Sequence, residues 1–92
     1  MTDSQRELAE YVARWAGYTL APNGLWDHPH ETGRYGQSFL FDPALAWQAQ
    51  EELIEEVGYR KAMHEVHAYV CGQGCTRIEA THRALRAARG GE

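Results

Sequence analysis

Residues 42–58 read DPALAWQAQEELIEEVG. Asp42 carries the short carboxylate that accepts backbone N–H bonds at a helix N-cap, and Pro43 suits the first helical position, where no donor is missed. Gly58 suits the left-handed residue just past a helix end. On a helical wheel Leu45, Ala46, Ala49, Leu53 and Val57 share one side, which Trp47 and Ile54 extend. Gln48, Glu51, Glu52, Glu55 and Glu56 fill the other. The stretch therefore predicts an amphipathic helix whose broad apolar face the rest of a small chain must cover.

The 92 residues predict a single domain, residues 1–92, with enough apolar side chain (43%, including three Trp and five Tyr) for a modest core without staples. The net charge of −4 has the wrong sign for a general nucleic-acid binder and is too mild for a nucleic-acid mimic. Charge is uneven: residues 1–60 hold ten acids and four bases, residues 61–92 three acids and five bases. No apolar run reaches the length that spans a bilayer, and MTDSQRELAE lacks a charged-then-apolar leader pattern. A cytoplasmic protein with reduced thiols at Cys71 and Cys75 is the expectation.

Working toward the N-terminus, residues 4–17 predict a first helix, with Ser4 and Glu7 as a capping box and Gly17 as the stop. Leu8, Tyr11, Val12 and Trp15 share its apolar face. In YTLAPNGLWD, short apolar runs flank Pro22, Asn23 and Gly24, a hairpin signal that predicts strands near 18–21 and 24–28. Residues 28–38, HPHETGRYGQS, are polar and aperiodic and predict a long loop. Phe39, Leu40 and Phe41 lead into the central helix, with Phe41 placed to staple its first turn.

Beyond Gly58 the pattern is ambiguous. Strand alternation groups His64, Val66, Ala68 and Val70; helical spacing groups Tyr59, Met63, Val66 and Val70 equally well. Val66 and the Tyr69–Val70 pair favour a strand over 63–71. Thr76 and Glu79 then form a capping box that opens a last helix to about Arg89, with Ile78, Thr81, Leu85 and Ala88 inward and Gly90 and Gly91 ending it. The predicted fold class is α+β, in the order α-β-β-α-β-α: an antiparallel three-stranded sheet packed with helices as an α/β/α layered sandwich.

Four pieces in this order carry a resemblance. They are ARWAGY at 13–18, the segment around Trp26 before an irregular loop, SFLFDPALAW at 38–47, and EATHRAL at 79–85. Together they span most of the chain, which resembles the phage ABA sandwich domain, a family of small phage and prophage proteins without assigned activity. Thr81 and His82 depart from the apolar residues of that pattern. The resemblance implies an α/β/α sandwich and a phage or prophage origin, and it brings no catalytic residues.

His28, His30, His64, His67, His82, Cys71 and Cys75 supply donors for zinc, but the spacings match no standard finger or ribbon, and on a strand His64 and His67 point to opposite faces. No metal and no cofactor are expected. Cys71 and Cys75 are close enough in sequence for a disulfide, which a reducing compartment disfavours. Residues 72–76, GQGCT, offer backbone N–H groups to an anion, but no lysine stands where a P-loop needs one. Ser38 with His28 or His30, and an acid from Glu31 or Asp42, makes only a nominal hydrolase set, so no catalytic residue is assigned. Arg83 and Arg86 sit near Glu79 on the last helix, as a solvated face or a small basic patch.

The chain is therefore expected to be a non-enzymatic interaction module of phage type, contacting its partner through His28, His30, Arg34, Tyr35, Arg83 and Arg86. That partner would be a host or anti-phage defence protein, as for an anti-CRISPR-like inhibitor. Neither nucleic acid nor membrane is an expected partner, and a homodimer stays open. The alternative is an accessory that binds a small ligand or nucleic acid through the 28–38 loop and the glycine turn at 72–76. A concave site under the loop favours the ligand binder; an exposed aromatic or charged patch favours the interaction module.

Overall fold

The computed structural model describes residues 1–90, so Gly91, expected to help end the last helix, lies outside the described residues. The fold is α+β with one three-stranded antiparallel sheet, and the chain divides into two compact units that meet in sequence between Phe41 and Asp42.

The first unit opens with helix α1 (Asp3–Trp15). Its cap is Thr2, earlier than the Ser4 expected. Thr2 Oγ1 accepts from the Gln5 N–H at 3.1 Å, and Gln5 Oε1 accepts from the Thr2 N–H at 2.9 Å. TDSQ and SQRE both fit the capping-box pattern, and the earlier one starts the helix two residues sooner. Leu8, Ala9, Val12 and Ala13 form the buried face. The helix ends as a Schellman turn: the Tyr18 N–H bonds Ala13 O at 2.9 Å and the Gly17 N–H bonds Arg14 O at 3.1 Å, with Gly17 at φ +91°.

Strands β1 (Thr19–Leu20), β2 (Trp26–His28) and β3 (Glu31–Arg34) follow in a meander of that order. The β1–β2 hairpin turns at Pro22, Asn23 and Gly24 as expected, and its register pairs Leu20 with Trp26. β3 lies within the expected loop. It forms because Pro29 and His30 make a tight return that pairs His28 with Glu31. A register irregularity lies between Trp26 and His28, where the Gly33 N–H (φ +71°) donates to Asp27 Oδ1 at 2.9 Å. A 3-10 helix (Gly36–Phe41) then inserts Phe39 and Leu40 into the core. Phe41 is exposed rather than acting as a staple.

The second unit is a helical hairpin extended by a third helix. Helix α2 (Pro43–Val57) begins where expected, with Asp42 Oδ1 accepting from the Ala44 N–H at 2.9 Å and the Leu45 N–H at 3.2 Å. Ala49 and Leu53 are fully buried, whereas Trp47, expected on the apolar side, is 64% exposed. Gly58, at φ +86°, ends α2 and immediately precedes α3.

Helix α3 (Tyr59–Gln73) replaces the strand expected over 63–71, so the helix order is corrected and the third strand is β3. The segment runs without a turn residue from Gly58 to Gly72, too long for a typical strand, and a helix puts Ala62 and Val66 inward together. Gly74 closes it in the left-handed conformation. Thr76 then caps α4 (Arg77–Ala88), accepting from the Glu79 N–H at 3.2 Å. Helix α4 packs on both α2 and α3, and Arg89 at its C-terminal end reaches Glu52 at 2.7 Å and Glu56 at 3.4 Å on α2.

Candidate functional site

The sheet of the first unit concentrates polar chemistry around Arg34. Its guanidinium lies 4.3 Å from the Phe39 ring centre and 5.5 Å from that of Tyr18. Nε donates to Ser38 Oγ at 2.7 Å, and Nη1 donates to Tyr18 Oη at 3.2 Å and to Glu31 Oε1 at 3.4 Å. Tyr18 Oη donates to Glu31 Oε1 at 3.0 Å, and Ser38 Oγ donates to the Tyr35 carbonyl at 2.6 Å. With its side chain only 15% exposed, Arg34 braces β3 against the 3-10 helix. Ser38 is committed to this bracket and Asp42 to its cap, so the nominal hydrolase residues are held in structural bonds.

His28 is half-buried, its ring 5.0 Å from Tyr18 and 5.5 Å from His30. Its Nδ1 accepts from the His30 N–H at 3.2 Å. His30 is exposed. Tyr35, next in sequence to the bracket, is 67% exposed. The expected loop residues thus separate by role: Arg34 faces inward, His28 is intermediate, and His30 and Tyr35 are open.

Beside this bracket lies a cleft of about 460 Å³ lined by Leu20, Trp26, Tyr35 and Gly36, with Arg6 and Glu10 of α1 at its polar side. Leu20 is 52% exposed, while the indole of Trp26 is buried in the wall. The β1–β2 register sets Leu20 and Trp26 on one face of the sheet. Phe39 meets the Trp26 ring edge-on at 6.3 Å, and the Arg14 guanidinium lies 5.4 Å from its centre. Gly36 lies against the indole: a Cβ there would sit 3.4 Å from Trp26 Nε1, an ordinary contact distance. Glu10 pairs with Arg14 at 3.1 Å, and Arg6 with Asp3 at 3.4 Å.

In the second unit Arg83 pairs with Glu79 at 3.1 Å, and both side chains are largely buried. Arg86 is half-buried. Neither arginine is the fully solvated group that an outer face would hold. His82, inward on α4, has its pKa lowered from 6.5 to about 4 by burial, partly opposed by the carboxylate of Asp42. Burial, reinforced by Glu79 and opposed by Arg83, raises the Cys75 thiol pKa. Cys71 and Cys75 are both free thiols. At the glycine turn, the Gly74 and Cys75 N–H groups are spent on the Tyr69 carbonyl. Among the described residues no three His, Cys, Asp or Glu side chains gather as a metal site, and no helix is long and apolar enough to cross a membrane.

The exposure of Tyr35 was legible from the polar, aperiodic loop around it. The Leu20–Trp26 wall was not, because it depends on a cross-strand register; the hairpin signal at 22–24 was the available clue. No family model, no curated protein and no solved structure matches this chain.

Proposed function

We propose that this chain is a non-catalytic protein-interaction module that takes an apolar side chain of its partner into the cleft beside Trp26. The observation that carries this reading is the cleft itself: about 460 Å³, lined by Leu20, Tyr35 and Trp26, with polar Arg6 and Glu10 at one side. Tyrosine and tryptophan are over-represented at interface hot spots, and an apolar centre with a polar margin is the usual anatomy of a contact surface. The phage-type resemblance supports a host or anti-phage defence protein as the partner, blocked by occlusion of its surface. Arg83 and Arg86 are secondary contacts in this reading, because Glu79 already neutralises Arg83.

The cleft volume also supports a second reading, a small apolar ligand, since such sites span about 300–1,000 Å³. The test uses the full chain as bait in a bacterial lysate, as wild type and as Tyr35→Ala and Leu20→Asp. A partner kept by the wild type and lost by both variants, with melting temperatures unchanged, supports the module. A partner held equally by all three contradicts use of the cleft. Amide shifts around Trp26 on adding indole, with no protein captured, favour the small-ligand reading.

A further inference from the structure

On helix α3 His67 and Cys71 stand one turn apart and are both exposed, with His67 Nε2 3.4 Å from Cys71 Sγ. Zinc bonds sulfur at about 2.3 Å and imidazole nitrogen at about 2.0–2.1 Å, so a tetrahedral angle sets the two donors about 3.6 Å apart. The pair is already at the bite of a chelate. The same one-turn spacing of two ligands on a helix face is used by zinc-binding helices in general. We propose that His67 and Cys71 form half of a tetrahedral zinc site that the same pair of a second copy of this chain completes.

Among the described residues no third ligand-type side chain gathers with the pair, and in this proposal the other half is the same pair of the second copy. Beside the pair run Ala68 and Gly72, both exposed, and a Cβ added at Gly72 would meet open space. These small residues allow a second helix to approach closely. Two copies related by a twofold axis supply two imidazoles and two thiolates. Each Cys71 thiol gives its proton to solvent, so two protons leave per zinc bound and the completed site is neutral. Cys75 lies beyond the end of α3 and outside this one-turn pair. The inference is independent of the cleft in the first unit.

The full chain, without a polyhistidine tag and kept reduced, is freed of metal and titrated with zinc chloride while its mass is followed by light scattering. The expected result is one zinc per two chains and a doubled mass. Cobalt(II) chloride should give thiolate-to-metal absorption and tetrahedral d–d bands. Cys71→Ser and His67→Gln should each weaken binding tenfold or more, while Cys75→Ser leaves it unchanged; circular dichroism checks that all three remain helical. Binding that survives Cys71→Ser, a one-to-one complex that stays monomeric, or no binding at ~100 μM zinc overturns the proposal, the last being far weaker than a four-ligand site.

Discussion

Arg34 and Tyr35 are adjacent in sequence and opposite in role. Arg34→Ala removes the donor to Ser38 and Tyr18 and the cation over Phe39. Loss of such hydrogen bonds and of the ring contact is expected to cost about 2–3 kcal/mol. Tyr35→Ala should stay within about 0.5 kcal/mol, as at other exposed sites. Urea denaturation of the two variants separates the bracket residue from its exposed neighbour. His82 gives a pH prediction. Its folded pKa, about 4, lies below the ordinary 6.5, so between these values the unfolded chain binds the proton and the folded chain does not. Stability contributed here is full above about pH 6.5 and is lost as pH falls toward 4, by about 3 kcal/mol at most. His82→Gln should flatten that part of the stability profile; an unchanged slope would contradict a neutral buried imidazole.

Among the elements, α2 and α4 are legible because their ends carry chemistry: Asp42 and Pro43, Gly58, Thr76. Leu53→Ala should cost roughly 2–4 kcal/mol through lost burial and a cavity. Glu52→Ala should cost less than about 1 kcal/mol, the scale of a partly exposed pair with Arg89. Residues 63–71 carry a strand pattern although they are helical, because Val66 and Val70 satisfy both periods; the uninterrupted length between glycines is the better guide. Val66→Pro, in the buried face of α3, should cost about 3 kcal/mol or more by breaking the helix. Helical carbon shifts from His64 to Tyr69 would check the element directly, and extended shifts there would contradict it. Strand β3 was illegible for a different reason. Its residues ETGR carry no apolar alternation, being mostly exposed, and it exists through pairing with β2.

The whole molecule is a small α+β protein whose first unit carries an open cleft lined by Leu20, Trp26 and Tyr35. The exposed Tyr35 and the largely buried Arg34 are adjacent in the polar stretch 28–38, and only the exposure of Tyr35 follows from its polarity. The cleft needed Leu20 and Trp26 brought together across a hairpin, which no local pattern spells out. Three tryptophans now give three separate reporters: Trp15 in α1, Trp26 in the cleft and exposed Trp47 on α2. The decisive measurement is a titration of the isotope-labelled full chain with its captured partner, following the three indole N–H resonances. The account predicts that the Trp26 resonance shifts or broadens first, together with the amides of Leu20, Tyr35 and Gly36. A response at Trp47 with Trp26 unmoved would contradict it and place the contact surface on α2.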